Sequence, residues 1–233
     1  QHPARTSKNA PACPPPVGYH GWDPKPPSPA VGEQTAESRI SRYLSVGAEA
    51  TAAWEQRVFD SFRADIGRLR RAGSREATLR LLLTQQGLWA IMCYRVGNQL
   101  ARHRLPPVLH QIVMFFYHIW WKNIEVTTGI SISPDCTIGP GLYIGHFGGI
   151  IVHPDVRIGC DCNLSQGVTL GLGARSGVWG VPTLGDRVYV APGAKVTGPI
   201  HLANGTVVGA HAVVTNSTSE NDVVAGVPAR VIS

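Results

Sequence analysis

His146 stands between Gly145 and the run Phe147, Gly148, Gly149 in a chain of 233 residues. Neighbours this small leave room for two reactants to reach one imidazole. An imidazole in such a place could act as a general base that takes a proton from an attacking group, since histidine titrates near working pH. A histidine in a turn is more often a plain surface residue, so its weight depends on what positions it. His153, His201 and His211 read as structural. The five cysteines, Cys13, Cys93, Cys136, Cys160 and Cys162, are an odd number without the spacing of a disulfide framework. Cys160 and Cys162 resemble a metal pair, but the frame described next turns one outward and the other into the core. All are expected as reduced, structural thiols, which fits the cytoplasm, and no metal is expected. No serine occupies a nucleophile elbow, so a covalent acyl-enzyme has no candidate.

What positions His146 is an aliphatic residue returning every sixth position. The runs are Ile132, Ile138, Ile144, Ile150, then Ile158, Leu164, Leu170, and after a break Leu184, Val190, Val196, Leu202, Val208, Val214. A helix repeats at about 3.6 and a half-buried strand at 2, so a sustained six marks a solenoid of hexapeptides rather than a β-sandwich with accidental spacing. Positions four after each anchor hold Cys136, Leu142, Gly148, Pro154, Cys162, Val168, Val188, Ala194, Ile200, Thr206 and Ala212, mostly small or apolar, as a narrow interior requires. Gly139, Gly159, Gly185, Gly209 and Pro192-Gly193 supply bends between flat sides. Leu172 to Pro182 breaks the register and reads as an extruded Gly-rich loop, where solenoids place binding function.

The runs GLYIGHFGGIIV, IGCDCNLSQGVTLG and AGVPARVI, in that order, resemble the serine acetyltransferase-like branch of the hexapeptide-repeat acyltransferases across roughly residues 55 to 232. The resemblance implies a mainly β fold, a left-handed parallel β-helix preceded by α-helices. It also implies a homotrimer, with acetyl-CoA as co-substrate in the groove between subunits and His146 as general base in a direct transfer. Gly171 and Gly173 then supply backbone N–H groups to an oxyanion. The pantetheine arm is expected along Gly171, Gly173, Ala191, Gly193, Ala210 and Ala212, with Arg230, and more weakly Lys195, meeting the nucleotide phosphates.

The departures bear on the acceptor. The family's imidazole-orienting Asp falls at Ser131, the Asp that contacts the amino-acid substrate falls at Gly145, and an Arg-His pair falls at Gly180 and Val181. By the resemblance only Asp65 keeps a family acidic position, its plainer reading being a solvated helix-surface charge. Ser131, Gly145 and Asp65 are therefore the candidate acceptor-site positions. A zwitterion needs charges to meet its own, so the sequence ranks a sugar or other neutral hydroxyl first, closest to polysaccharide-cluster O-acetyltransferases. Serine O-acetylation for cysteine synthesis ranks second and a non-catalytic trimeric scaffold third.

The rest of the chain divides into a Pro-rich arm (1–34), an α-helical segment (35–127) and the solenoid with its tail (128–233). Helices are expected over Ala50–Arg71, Glu76–Gln85 and Gly87–Arg104, and a packing helix over Val108–Trp121. The last is too short to span a bilayer, and peripheral membrane contact is a minor alternative for it. The helices are expected to cover the open first coil and to offer a route to a dimer of trimers. A net charge of +6 fits solubility or an anionic ligand. Scattered Lys and Arg do not suit nucleic acid.

Overall fold

The structure, a computed structural model, describes residues 60–71, 78–102, 106–175 and 177–233. The Pro-rich arm and the first part of the earliest expected helix lie outside these residues. Residues 60–71 are helical (α1), followed by α2 (Thr78–Thr84), α3 (Gln86–Arg102) and α4 (Pro107–Thr128). α4 runs about two turns beyond its expected end because the apolar run continues through Ile124, and it stops where Gly129 turns left-handed at φ 65°.

From Ile130 the chain winds around three flat faces. One face stacks β1 (Ile130–Ile132), β3 (Ile150–Val152), β6 (Thr169–Gly171), β11 (Lys195–Thr197) and β14 (Val213–Val214). The second stacks β2 (Thr137–Ile138), β4 (Arg157–Ile158), β9 (Thr183–Leu184) and β12 (His201–Leu202). The third stacks β5 (Asn163–Leu164), β10 (Tyr189–Val190), β13 (Val207–Val208), β15 (Val223–Gly226) and β16 (Ala229–Val231). All these pairings are parallel except β15 with β16. The break in the register is an antiparallel hairpin of β7 (Gly173–Arg175) and β8 (Val178–Gly180). The tail is not a plain extension: Val223–Gly226 forms the next strand of the third face, and Ala229–Val231 of the AGVPARVI run folds back on it as β16.

The anchors fill the prism, and every one is buried. One step of the expected frame is corrected by the pairing. Ile132 pairs with Val152, and Val152 with Leu170, so the anchor on that side is Val152 and not Ile150. Ile150 and Val156 take the inward positions assigned to Gly148 and Pro154, and both are completely buried. Hence the step from Ile144 to the next anchor is eight residues, while Leu164 to Leu170 is six.

The first coil has no coil before it, and its backbone groups need partners. α3 supplies most of them. The Tyr94 hydroxyl donates to Cys136 O and accepts from Ile138 N, each at 3.0 Å, and Asn98 Nδ2 donates to Pro134 O and Cys136 O. Arg95 donates to Ile138 O and Gly139 O, and Trp121 of α4 donates to Ile132 O. The expected cover is thus a set of side chains doing the work of a missing strand.

Cys93, Cys136 and Cys162 are free and buried, and burial pushes their thiols up to about 11, about 12 and about 12. Cys160, expected reduced, is disulfide-bonded and is also buried, so neither member of the 160/162 pair faces out.

Candidate active site

The two extra residues of the long step sit at the corner that carries His146. Tyr143 bridges Asn163, so Ile144 lies over Leu164. Beyond the corner, Gly167 N donates to Gly148 O just as Gly193 N donates to Gln166 O, which sets Gly148 over Gln166. Gly145, His146 and Phe147 therefore occupy the place that Ser165 fills alone one coil later. Three residues in the space of one must loop outward, and His146 and Phe147 are accordingly exposed. The imidazole accepts or donates no hydrogen bond among the described residues.

The loop overhangs a cavity of about 350 Å³ lined by Tyr143, Gly145, His146, Asn163, Ser165, Gln166, Tyr189 and Pro192. Tyr143, Asn163 and Tyr189 stack in register on three successive coils. Among the described residues the lining carries hydroxyls, carboxamides and the imidazole, and no carboxylate, Lys or Arg. A Cβ on Gly145 would lie 2.9 Å from the Tyr143 hydroxyl. Tyr143 thus holds the space where the resemblance puts an aspartate side chain, and no spacing or pattern singles that tyrosine out in the sequence.

Asp65 is placed elsewhere. Its side chain has no exposure, Arg95 Nε and Nη2 donate to it at 3.0 and 3.2 Å, and the backbone N–H groups of Gly141 and Leu142 each donate at 2.8 Å. Burial raises its pKa, opposed by Arg95 and those amides. Since every contact comes from a donor, the ionised carboxylate is the form the geometry fits. Asp65 joins α1, α3 and the first coil, and it is neither the expected acceptor ligand nor a solvated surface charge. Ser131 lies on β1 opposite Ile151 and hydrogen-bonds Glu125, whose carboxyl is held below its ordinary value first by Lys122 and then by Ser131.

The expected CoA track divides. A side chain on Gly171 would meet the Thr169 methyl at an ordinary 3.5 Å, Ala210 is exposed, and Arg230 is exposed and, among the described residues, donates to the neighbouring Ala229 O. Ala191 is buried. Ala212 is fully buried in the core and cannot touch a ligand. Gly173 closes the base of the hairpin, where a Cβ would come 2.8 Å from Gly198 N, and Gly193 is left-handed at φ 75° against the His211 ring. Lys195 Nζ is held by Gly167 O at 2.6 Å and Thr169 Oγ1 at 3.0 Å. Of the histidines read as structural, His153 accepts from Asp155 N and His201 bonds Thr183.

A prism of hexapeptide coils with a histidine looped out at one corner defines the class as the left-handed β-helix of the hexapeptide-repeat acyltransferases. No family model matches the chain. It is 34% identical over 154 residues to a serine acetyltransferase of Synechococcus elongatus and 39% identical over 146 residues to one of Mycobacterium tuberculosis. Those stretches are 66% and 62% of this chain, which spans only 60% and 64% of those relatives. A Helicobacter pylori serine acetyltransferase is 34% identical over 156 residues, 66% of this chain and 85% of its own length. Solved serine acetyltransferases superpose with TM-scores of 0.66 for a cysteine complex and 0.64 for a CoA complex, both 30% identical. Each superposition covers 79% of this chain, and 74% and 73% of those chains respectively. The chain belongs to the serine acetyltransferase family.

Proposed function

We propose that the chain is an acetyl-CoA-dependent O-acetyltransferase in which His146 takes the proton of an acceptor hydroxyl as its oxygen attacks the thioester carbonyl, CoA leaving as the thiol. The supporting observation is the two-residue lengthening of the corner, which puts the imidazole over a cavity instead of flat against a coil. The acceptor to test first is L-serine, the substrate named by the relatives' activity, which reverses the order in which the sequence ranked the acceptors. A neutral hydroxyl such as a sugar is the second reading, favoured by one observation: among the described residues the cavity lining has no carboxylate, Lys or Arg to meet a zwitterion.

We infer a homotrimer on the same reading, since the cavity is open to solvent in one subunit and a neighbouring subunit would close it. Larger assembly through the helices is supported by α4, whose outer side exposes Val108, Ile112, Phe115 and Ile119 at alternating spacings of four and three. Among the described residues no helix is long and apolar enough to cross a membrane. Thiol release from acetyl-CoA, compared between L-serine and a panel of neutral sugars, tests the proposal. Faster release with one acceptor class supports it, and acceptor-independent rates contradict it.

A further inference from the structure

Gln166 is the observation the mechanism leaves unused. Its Oε1 is buried without a hydrogen-bond partner, alone in this among the described side chains that are not exposed. The same residue lines the His146 cavity. The cavity also holds the hydroxyls of Tyr143, Ser165 and Tyr189 and the amide of Asn163, yet none of them donates to it. Gln166 is not loosely placed: its backbone carbonyl accepts from Gly193 N at 2.9 Å, and the next residue donates from Gly167 N to Gly148 O at 2.8 Å. A buried acceptor left unmet costs free energy that a ligand donor recovers.

We propose that Gln166 is a ligand-binding residue whose side-chain carbonyl accepts a hydrogen bond from an N–H or O–H of the molecule filling the cavity beside His146. This rests on the proposed function for the identity of the two ligands. The donor comes from one of two sources, an amide N–H of the pantetheine arm or the hydroxyl or amino group of the acceptor.

Calorimetric titration of wild type, Gln166→Met and Gln166→Glu with CoA and, separately, with L-serine tests it without needing turnover. Gln166→Met is expected to weaken one ligand about tenfold, the scale of one lost hydrogen bond, and to leave the other unchanged. Loss for CoA identifies the pantetheine amide, and loss for serine identifies the acceptor. Gln166→Glu keeps the acceptor atom and is expected to lose less. The apo protein's Tm should hold or rise in Gln166→Met, since an unmet polar atom has gone. Unchanged affinities for both ligands, equal losses in both variants, or a lower apo Tm would overturn the assignment. A wild type that binds CoA but transfers nothing would sink the proposed function and leave this binding test standing, whereas one that binds neither ligand overturns both.

Discussion

Gly145 lies against the ring of Tyr143, close enough that a single added carbon would sit 2.9 Å from the tyrosine hydroxyl. The two positions are therefore one unit: a carboxylate before His146 requires a smaller residue at 143. Gly145→Asp is expected to destabilise by about 1–3 kcal/mol, the usual scale of overpacking. Adding Tyr143→Ala should recover part of that loss, giving a coupling of at least about 0.5 kcal/mol in a double-mutant cycle. Additive losses in urea denaturation would show that the contact imposes nothing.

The Asp65–Arg95 pair fastens the helices to the first coil. Asp65→Ala leaves a guanidinium buried without its counter-charge and is expected to cost about 3–5 kcal/mol. Replacing both residues by apolar ones should cost less than the sum of the single changes. KM values of the folded fraction should not move, because neither residue lines the His146 cavity. A selective rise in acceptor KM would restore Asp65 to the binding site.

How much of this was readable follows from where side chains report on the backbone. Anchors such as Leu164 and Val196 announce the solenoid because each must fill the same narrow prism, and the break at Leu172 shows where the hairpin leaves it. The slip from Ile150 to Val152 was hidden because both are aliphatic and both end up buried, so the six-residue step seemed to continue through the corner. Only the pairing of Ile132 with Val152 exposes the extra residues. Asp65 was misread because its partner lies thirty residues away on another helix. Ala212 was misread because small residues suit a ligand track and a core equally. Gln166 carried no signal, since an unmet acceptor is visible only once its neighbours are placed.

If the lengthened corner exists to project the imidazole, shortening it should spare the fold. Deleting His146 and Phe147 restores an even step, because Ser165 shows that one residue can span the corner. The deletion variant is expected to keep its far-UV dichroism and lose transfer. Failure to fold would mean that the loop is part of the core design.

The buried thiols set an alkaline limit. Cys136 and Cys162 are pushed up to about 12 and Cys93 to about 11, against 9.0 for an ordinary cysteine. A raised folded pKa means that the native state keeps protons the unfolded chain releases. That stability is fully present below about pH 9 and declines as pH rises toward 11–12. Urea midpoints measured from pH 8 upward should fall, and the fall should be shallower in Cys162→Ala. Parallel slopes in the two proteins would exclude this thiol as a cause.

His146 is proposed to act as the base from its projected corner. The direct measurement compares kcat/KM for acetyl transfer in wild type and His146→Ala alongside the Kd of each for CoA. A loss of at least about 100-fold in transfer with CoA affinity held within about twofold is the predicted result. Retained turnover, or a loss explained by weaker CoA binding, would contradict it.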